Sequence, residues 1–355
     1  MNLENLGWND FLAAHFSCYS EQHYIAGRVA VQHNQYYQVF TGDGEFRAEL
    51  TGKFRHEAQT AVELPAVGDW VVLQSIKNEN KALIHAVLPR KSQFTRQAAG
   101  NVTAEQIIAA NVDLVFLVSG LDQELNVRRI ERYLMLVWQS GSNAVIVLNK
   151  ADLTSSLEEQ VAQVKTIALG VPVVATSVKD GLGMTALQQY LTAGRTIAMI
   201  GSSGVGKSSL INALLGQERL KVQEVLDDRS RGQHTTTHRE LILLPEGALL
   251  MDTPGMRELQ ILGNDECLEL AFDDIKTFAR QCYFRNCQHQ TERDCAVQQA
   301  VQDGRLDDKR LQNYQKLQRE VKHMEIRNDV KAKLLEKQRC RKLSKMIRNY
   351  KQRDE

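Results

Sequence analysis

Four short stretches of this chain combine residue types and spacings that could do chemistry. The first, Gly201-Ser202-Ser203-Gly204-Val205-Gly206-Lys207-Ser208, follows the pattern G-x4-G-K-[ST], and Ser209 belongs to the same set. Glycines let backbone N–H groups close around phosphate oxygens at a helix N-terminus. In that setting Lys207 neutralises β- and γ-phosphates, and the Ser208 hydroxyl is a Mg²⁺ ligand. The second stretch is Asp252-Thr253-Pro254-Gly255. Its aspartate, at a strand end, suits Mg²⁺ held through water, and Gly255 can offer its N–H to a γ-phosphate. The third is Asn149-Lys150-Ala151-Asp152. A carboxylate there can accept from both N1–H and N2–H₂ of guanine, a pair adenine lacks, so the set selects GTP over ATP. The fourth, Cys282-x4-Cys287-x-His289-x5-Cys295, supplies three thiolates and an imidazole. That donor set suits a closed tetrahedral Zn²⁺ site, structural rather than catalytic.

These residues need a scaffold, and the hydropathy pattern supplies one. An apolar strand, Thr196 to Ile200, precedes the glycine-rich loop, and a helix carrying Leu210, Ile211, Leu214 and Leu215 follows it. Further apolar strands run from Val112 to Val118, Ala144 to Leu148, Val171 to Ala175 and Ala248 to Met251, with helical spacing over 126–139. Strands alternating with helices predict an α/β layer built on a mostly parallel sheet. Ahead of it, from Tyr24 to about Phe94, four short alternating runs separated by glycine and proline turns predict a small β-barrel of about five strands. A short helix around Trp8, Phe11, Leu12 and Phe16 opens the chain, and a polar, basic helical pattern runs from about Asp307 to the end. The expected divisions are 1–23, 24–100, 101–263 and 264–355.

Composition narrows the class. The 355 residues carry 44 Lys and Arg against 43 Asp and Glu, with 43% hydrophobic residues, which is ordinary for a water-soluble globular chain and excludes collagen-like and wholly disordered classes. No apolar run reaches the ~18 residues of a membrane span. Met1-Asn2-Leu3-Glu4-Asn5 has no basic-then-apolar character, so the chain is expected in the cytoplasm, away from membranes. There, clustered cysteines indicate a metal site rather than disulfides.

The guanine-reading stretch at 149–152 lies before the phosphate loop at 201–208, and the Mg²⁺ stretch at 252–255 comes last. The chain therefore resembles the translation-factor class of P-loop GTPases with its motifs circularly permuted. Adding Gly232-Gln233-His234-Thr235-Thr236-Thr237, the barrel before and the Cys/His segment after, it resembles the ribosome small-subunit-dependent GTPase family (RsgA/YjeQ) over about residues 24–300. The resemblance implies GTP hydrolysis to GDP and phosphate, stimulated by the small ribosomal subunit, and a role in late maturation of that subunit. It implies that the barrel is an RNA-binding OB-fold and that Cys282, Cys287, His289 and Cys295 bind zinc in a mostly helical C-terminal domain. The implied partners are the small subunit, its rRNA and GTP or GDP, with the chain a monomer off the ribosome.

Two positions depart from the family pattern. Thr176-Ser177-Val178 stands where a Ser-Ala turn usually backs the base, with Ser177 kept in the GTP-binding set, and Gln233 replaces an arginine. Many GTPases carry a glutamine after Asp-x-x-Gly, but here Met256 has no polar atom able to orient water. That leaves His234, or a group from the ribosome, for the task. One of the three switch threonines should ligate Mg²⁺ with Ser208 and Asp252, and Thr236 is the choice made. Lys53, Arg55, His56, Arg90, Lys91, Phe94 and Arg96 are candidates for an RNA-facing surface. From Lys331 onward ten Lys and Arg face three acidic residues, a further attraction for RNA through counterion release. The alternative reading is an RNA-binding assembly factor that senses GTP without significant turnover.

Overall fold

The computed structural model describes residues 2–20, 23–76, 79–97, 105–122, 125–168, 170–216, 239–252 and 265–328. They belong to two compact units, Met1–Gln260 and Ile261–Glu355. The first unit opens with a 3-10 turn, Glu4–Leu6, and helix α1, Asp10–Ser20. Five strands follow: β1 (Ile25–Gln32), β2 (Tyr37–Thr41), β3 (Gly44–Leu50), β4 (Trp70–Ser75) and β5 (Lys81–Val87). They run in the order β1-β2-β3-β5-β4, and β4 pairs back onto β1, so the sheet closes into a barrel with no open edge. The pairing of β3 with β5 is parallel, which the helix α2 (Gly52–Glu57) and the following loop make possible by carrying the chain across. Val29, Val39, Ala48, Val71, Leu73 and Ile84 fill the interior.

Strand β3 hides from a hydropathy reading because Glu45, Arg47 and Glu49 occupy its outward positions while Ala48 alone is fully buried. The stretch after Thr51, read as turns, contains α2, capped by the Thr51 hydroxyl accepting from Phe54 N at 3.2 Å. A second unanticipated element is the antiparallel hairpin of β6 (Gln93–Gln97) and β7 (Glu105–Ala110) between barrel and α/β layer.

The α/β layer contains β8 (Leu114–Gly120), α3 (Val127–Ser140), β9 (Asn143–Asn149), α4 (Leu157–Ile167), β10 (Val173–Thr176), α5 (Met184–Gln188), β11 (Thr196–Ile200), α6 (Lys207–Leu215), β12 (Glu240–Leu243) and β13 (Leu249–Asp252). The order is β10-β9-β8-β11-β13-β12, parallel throughout except for β12. Val115, Phe116, Val145, Val147, Ile197 and Leu250 are fully buried, as expected for strands covered on both faces. The carboxyl ends of β8, β9, β10, β11 and β13 share one edge, where ligands of open α/β sheets bind.

Barrel and layer are joined. Val31 of β1 pairs with Glu240 of β12, so the barrel continues the layer's sheet. Arg28, 1% exposed, donates to Thr196 Oγ1 (2.7 Å), Asn111 O (3.1 Å) and Gly68 O (3.3 Å), and also to Leu6 O. One guanidinium thus ties the N-terminal turn, the barrel, the link after β7 and the first residue of β11. Burial lowers its pKa to about 10, with Asp113 and Asp69 opposing, so it stays charged at neutral pH.

In the second unit, α7 (Asp265–Ala271), α8 (Asp273–Ala279), α9 (Ala296–Gln302) and α10 (Asp308–Asn328) surround Phe272, Ile275, Val297, Leu311, Leu317 and Val321. Arg310 of α10 grips Asp274 through Nε (2.6 Å) and Nη2 (2.8 Å) and lies over the Phe272 ring.

Arg28→Met keeps most of the side-chain volume but leaves buried acceptors without donors. It is expected to lower unfolding stability by about 3 kcal/mol or more. Urea titration of tryptophan fluorescence checks this, since Trp8 and Trp70 stack edge-to-face 4.8 Å apart beside the guanidinium. An unchanged midpoint would show that the clamp carries no stability.

Candidate active site and metal centre

The glycine-rich loop joins β11 to α6 at the centre of the carboxyl edge. Gly206 has φ +92°, a region L side chains rarely adopt, and a Cβ there would lie 2.3 Å from Asn149 Nδ2. A Cβ on Gly201 would meet Val118 O at 2.2 Å, so the loop can lie this close to β8 only without side chains. Lys207 Nζ curls over the loop and donates to Gly201 O (2.8 Å) and Ser202 O (2.5 Å). Ser203 and Gly204 are exposed at the mouth, while Ser208 and Ser209 sit half-buried in the first turn of α6. Arg129 of α3 donates to Ser202 Oγ at 2.8 Å and steadies the loop's outer side.

Asn149, only 2% exposed, links this loop to the neighbouring one. Its Nδ2 donates to Val205 O (2.9 Å), and its Oδ1 accepts from Thr176 Oγ1 (3.1 Å). Ala151 and Asp152 follow in a 3-10 turn, where Ser177 Oγ donates to Asp152 Oδ1 at 2.8 Å and sets the carboxylate's orientation. Val178 packs against the layer's core. Lys150 adopts φ +63°, and its ammonium meets Asp122 Oδ2 at 2.5 Å. Asp252 ends β13, the strand beside β11. The structure thus brings 149–152, Ser177, 201–209 and Asp252 to one edge of one sheet. Gly255, His234 and Thr236 lie outside the described residues, as do Met256 and the basic tail.

Sequence reasoning missed Asp122 and Arg129, and it placed Thr176 in the turn behind the base without its bond to Asn149. Asp122 had a faint signal, an acid two residues past a strand that ends in glycine at the same edge. Two surface candidates are corrected. Arg90 forks onto Asp69 with two 2.7 Å bonds and donates to Val62 O and Leu64 O, and Phe94 is 2% exposed, so both hold the fold together rather than face RNA. Lys53, Arg55, His56 and Lys91 are exposed.

In the second unit Cys282, Cys287, His289 and Cys295 place their ligand atoms within 4.8 Å of one another. Cys282 Sγ lies 3.6 Å from His289 Nδ1 and 3.9 Å from Cys295 Sγ, and Cys295 Sγ lies 3.5 Å from His289 Nδ1. Zn–S and Zn–N bonds at tetrahedral angles give ligand separations of about 3.5–3.8 Å, so the cluster fits one zinc. Burial, reinforced by the neighbouring thiols, pushes the Cys287 thiol up to about 12, while burial lowers the His289 pKa and favours the neutral imidazole a metal needs. Gln298 Nε2 and Gln315 Nε2 both donate to His289 O, at 2.7 and 2.8 Å, and hold the ligand's backbone in its φ +56° conformation.

A phosphate cradle and a carboxylate pocket on one strand edge, with the carboxylate strand earlier in the chain than the phosphate strand, define a circularly permuted P-loop GTPase. The family description "RsgA GTPase" matches residues 87–262, and "RsgA N-terminal domain" matches residues 26–84. The chain belongs to the RsgA GTPase family. A small ribosomal subunit biogenesis GTPase RsgA from Opitutus terrae is 44% identical over 353 residues, 97% of this chain and 96% of the relative. A second, from Lactiplantibacillus plantarum, is 48% identical over 84% of each chain. The crystal structure of YjeQ from Thermotoga maritima aligns with TM-score 0.63 at 30% identity, covering 84% of this chain and 98% of that one. A structure of YloQ, described as a circularly permuted GTPase, aligns with TM-score 0.61 at 26% identity, covering 85% and 96%. The description "50S ribosome-binding GTPase" also matches, over residues 196–338.

Asp122→Asn removes the partner that holds Lys150. GTP and GDP affinity are both expected to fall about 2- to 10-fold, the scale of a partly exposed ion pair. The loss should shrink at high salt. Titration with a fluorescent nucleotide at two salt concentrations checks this, and wild-type affinity at low salt would remove Asp122 from the site.

Proposed function

We propose that this chain hydrolyses GTP to GDP and phosphate when the small ribosomal subunit stimulates it, and that it acts in late maturation of that subunit. The observation that carries the reading is the joining of a G-x4-G-K-S loop to the 149–152 loop through buried Asn149, beside a barrel of OB type. The assignment to the small subunit comes from relatives that match nearly end to end. The description naming the 50S subunit covers only 196–338, which includes the phosphate loop.

The chain's own residues divide the work. Backbone N–H groups of 201–206 bind the β- and γ-phosphates, and Lys207 offsets their charge as it builds on the leaving oxygen. Asp152, oriented by Ser177, reads the guanine edge, with Asn149, Lys150 and Ala151 shaping the pocket. Gly255 offers its N–H to the γ-phosphate. Ser208, Thr236 and Asp252 are the residues that would hold Mg²⁺, which when bound neutralises phosphate charge. His234 is assigned to orient the attacking water. Cys282, Cys287, His289 and Cys295 hold one structural zinc, whose binding energy is local folding energy. The residues 1–23, 24–100, 101–263 and 264–355 act as extension, RNA-binding barrel, GTPase domain and zinc domain with basic tail. Among the described residues no helix is long and apolar enough to cross a membrane. A cytoplasmic chain, monomeric off the ribosome, completes the reading.

Multiple-turnover phosphate release, measured with and without small subunits, tests the activity. Stimulation by small and not large subunits is expected, whereas GTP binding without turnover would favour a nucleotide-sensing RNA binder. His234→Ala should leave GTP binding intact and lower stimulated turnover by about 10²-fold or more, the scale of losing a positioned catalytic group. Wild-type turnover would transfer the role to a ribosomal group.

Zinc is expected at one ion per chain in protein purified without chelator. Its ligand thiols must lose protons to bind, so apparent zinc affinity should rise with pH. Chelator competition at about pH 6 and pH 8 measures this, and a pH-independent affinity would exclude thiolate ligation. Cys287→Ala should unfold 282–295 and abolish subunit association while leaving GTP affinity near normal.

A further inference from the structure

The first zinc-ligand loop carries two aromatic side chains that the fold leaves outside. Tyr283 is 76% exposed and Phe284 45% exposed, both among the most exposed large hydrophobic residues described. Their position follows from the ligand spacing. Cys282 and Cys287 point inward to the cluster, so the four residues between them bulge outward, and Cys287 N donates to Phe284 O (3.3 Å) to close the turn. The two rings meet edge to face, with centroids 4.9 Å apart at 86°, a contact that takes up one face of one ring while both side chains stay exposed. Exposing such side chains costs about 1.5–3 kcal/mol each relative to burial, so an uncovered pair beside a metal-pinned turn marks a contact surface.

Charge identifies the partner. No acidic residue occurs from Ile275 to Thr291, while Arg280 and Arg285 flank the aromatics and are exposed. The acids nearest in sequence are already engaged. Asp274 is gripped by Arg310, and the Glu292 carboxylate accepts backbone N–H bonds from Gln288, Gln290 and Thr291. Aromatic faces between uncompensated arginines are what single-stranded nucleic acid requires, stacking for bases and cations for the backbone.

We propose that Tyr283 and Phe284 form a platform on which unpaired RNA bases stack, with Arg280 and Arg285 holding the adjoining phosphates. The proposal rests on the reading that the chain works on ribosomal RNA, and it adds the mode and the residues of one contact.

The test uses the full-length, zinc-loaded protein and a single-stranded 12-mer oligo(A) RNA. In Tyr283→Trp, the added tryptophan emission, read as the difference from wild type, should be quenched with the same midpoint as RNA binding. Tyr283→Ala/Phe284→Ala should weaken oligo(A) binding about 10-fold or more, by the same factor at low and high salt, because stacking releases no counterions. Arg280→Ala/Arg285→Ala should instead flatten the salt dependence, by a slope of about 0.7 per cation removed. Zinc content and GTP affinity should match wild type in each variant, which separates loss of the platform from loss of the fold. Added emission that stays unquenched in Tyr283→Trp at saturating RNA would overturn the proposal, as would equal losses on single-stranded and duplex RNA. Loss of small-subunit association with oligo(A) affinity unchanged would assign the patch to a ribosomal protein and overturn it too. If oligo(A) stacks as expected while subunits neither bind nor stimulate turnover, the platform stands and the small-subunit reading falls.

Discussion

The first unit depends on one buried cation. Arg28 sits on β1 of the barrel, yet its guanidinium holds Thr196, where β11 begins before leading into the phosphate loop. A charge this deep is tolerable because each of its three nitrogens finds a carbonyl or hydroxyl and Asp69 and Asp113 lie near. The result is that barrel and nucleotide layer do not move as beads on a string. Together with the Val31 to Glu240 pairing, the clamp gives any load on the barrel a short rigid path to the strand that carries the phosphate loop.

The second unit solves a different problem. Its helices α7, α8 and α9 have seven residues each, well below the length at which isolated helices persist in water. A small apolar core around Phe272 and the Arg310–Asp274 pair provide part of what they need. The Cys/His cluster gathers 282, 287, 289 and 295 at one point, and Cys295 caps α9, its sulfur accepting from Gln298 N. Gln315 of the long α10 donates to the carbonyl of His289, so the cluster's loop and α10 are set in register by one hydrogen bond.

Permutation changes the chain's path and not the site. The strand order β10-β9-β8-β11-β13-β12 places the base-reading and phosphate-binding loops at the same edge whichever comes first in sequence. What permutation does alter is the sequel. The chain leaves β13 at Asp252 and begins α7 of the second unit at Asp265, so only a dozen residues of sequence separate the strand beside the phosphate loop from the unit that carries the Cys/His cluster.

The sequence by itself made the GTPase family legible, and it offered the chemistry as local patterns. A phosphate cradle, a guanine-reading carboxylate and a tetrahedral thiolate set each demand particular residues at fixed short spacing, and such spacing survives in one dimension. The apolar strands of the α/β layer were legible for the same reason, being continuous local runs. Tertiary structure decided what depends on residues far apart. Arg28 and Thr196 are 168 positions apart, and nothing local marks the arginine as a clamp rather than a surface charge. Asn149, expected in the GTP-binding set, is also a strut to Val205, and Lys150 pairs with Asp122, which follows a different strand. Arg90 and Phe94 look like an RNA-facing pair in sequence, yet the fold turns both inward, because a charge or a ring carries no sign of which way its strand will face. Strand β3 was lost to its charged outer face, which only the pairing with β2 and β5 reveals as half of a barrel wall. Burial and direction belong to the assembled chain, since they arise only when distant segments displace water from one another.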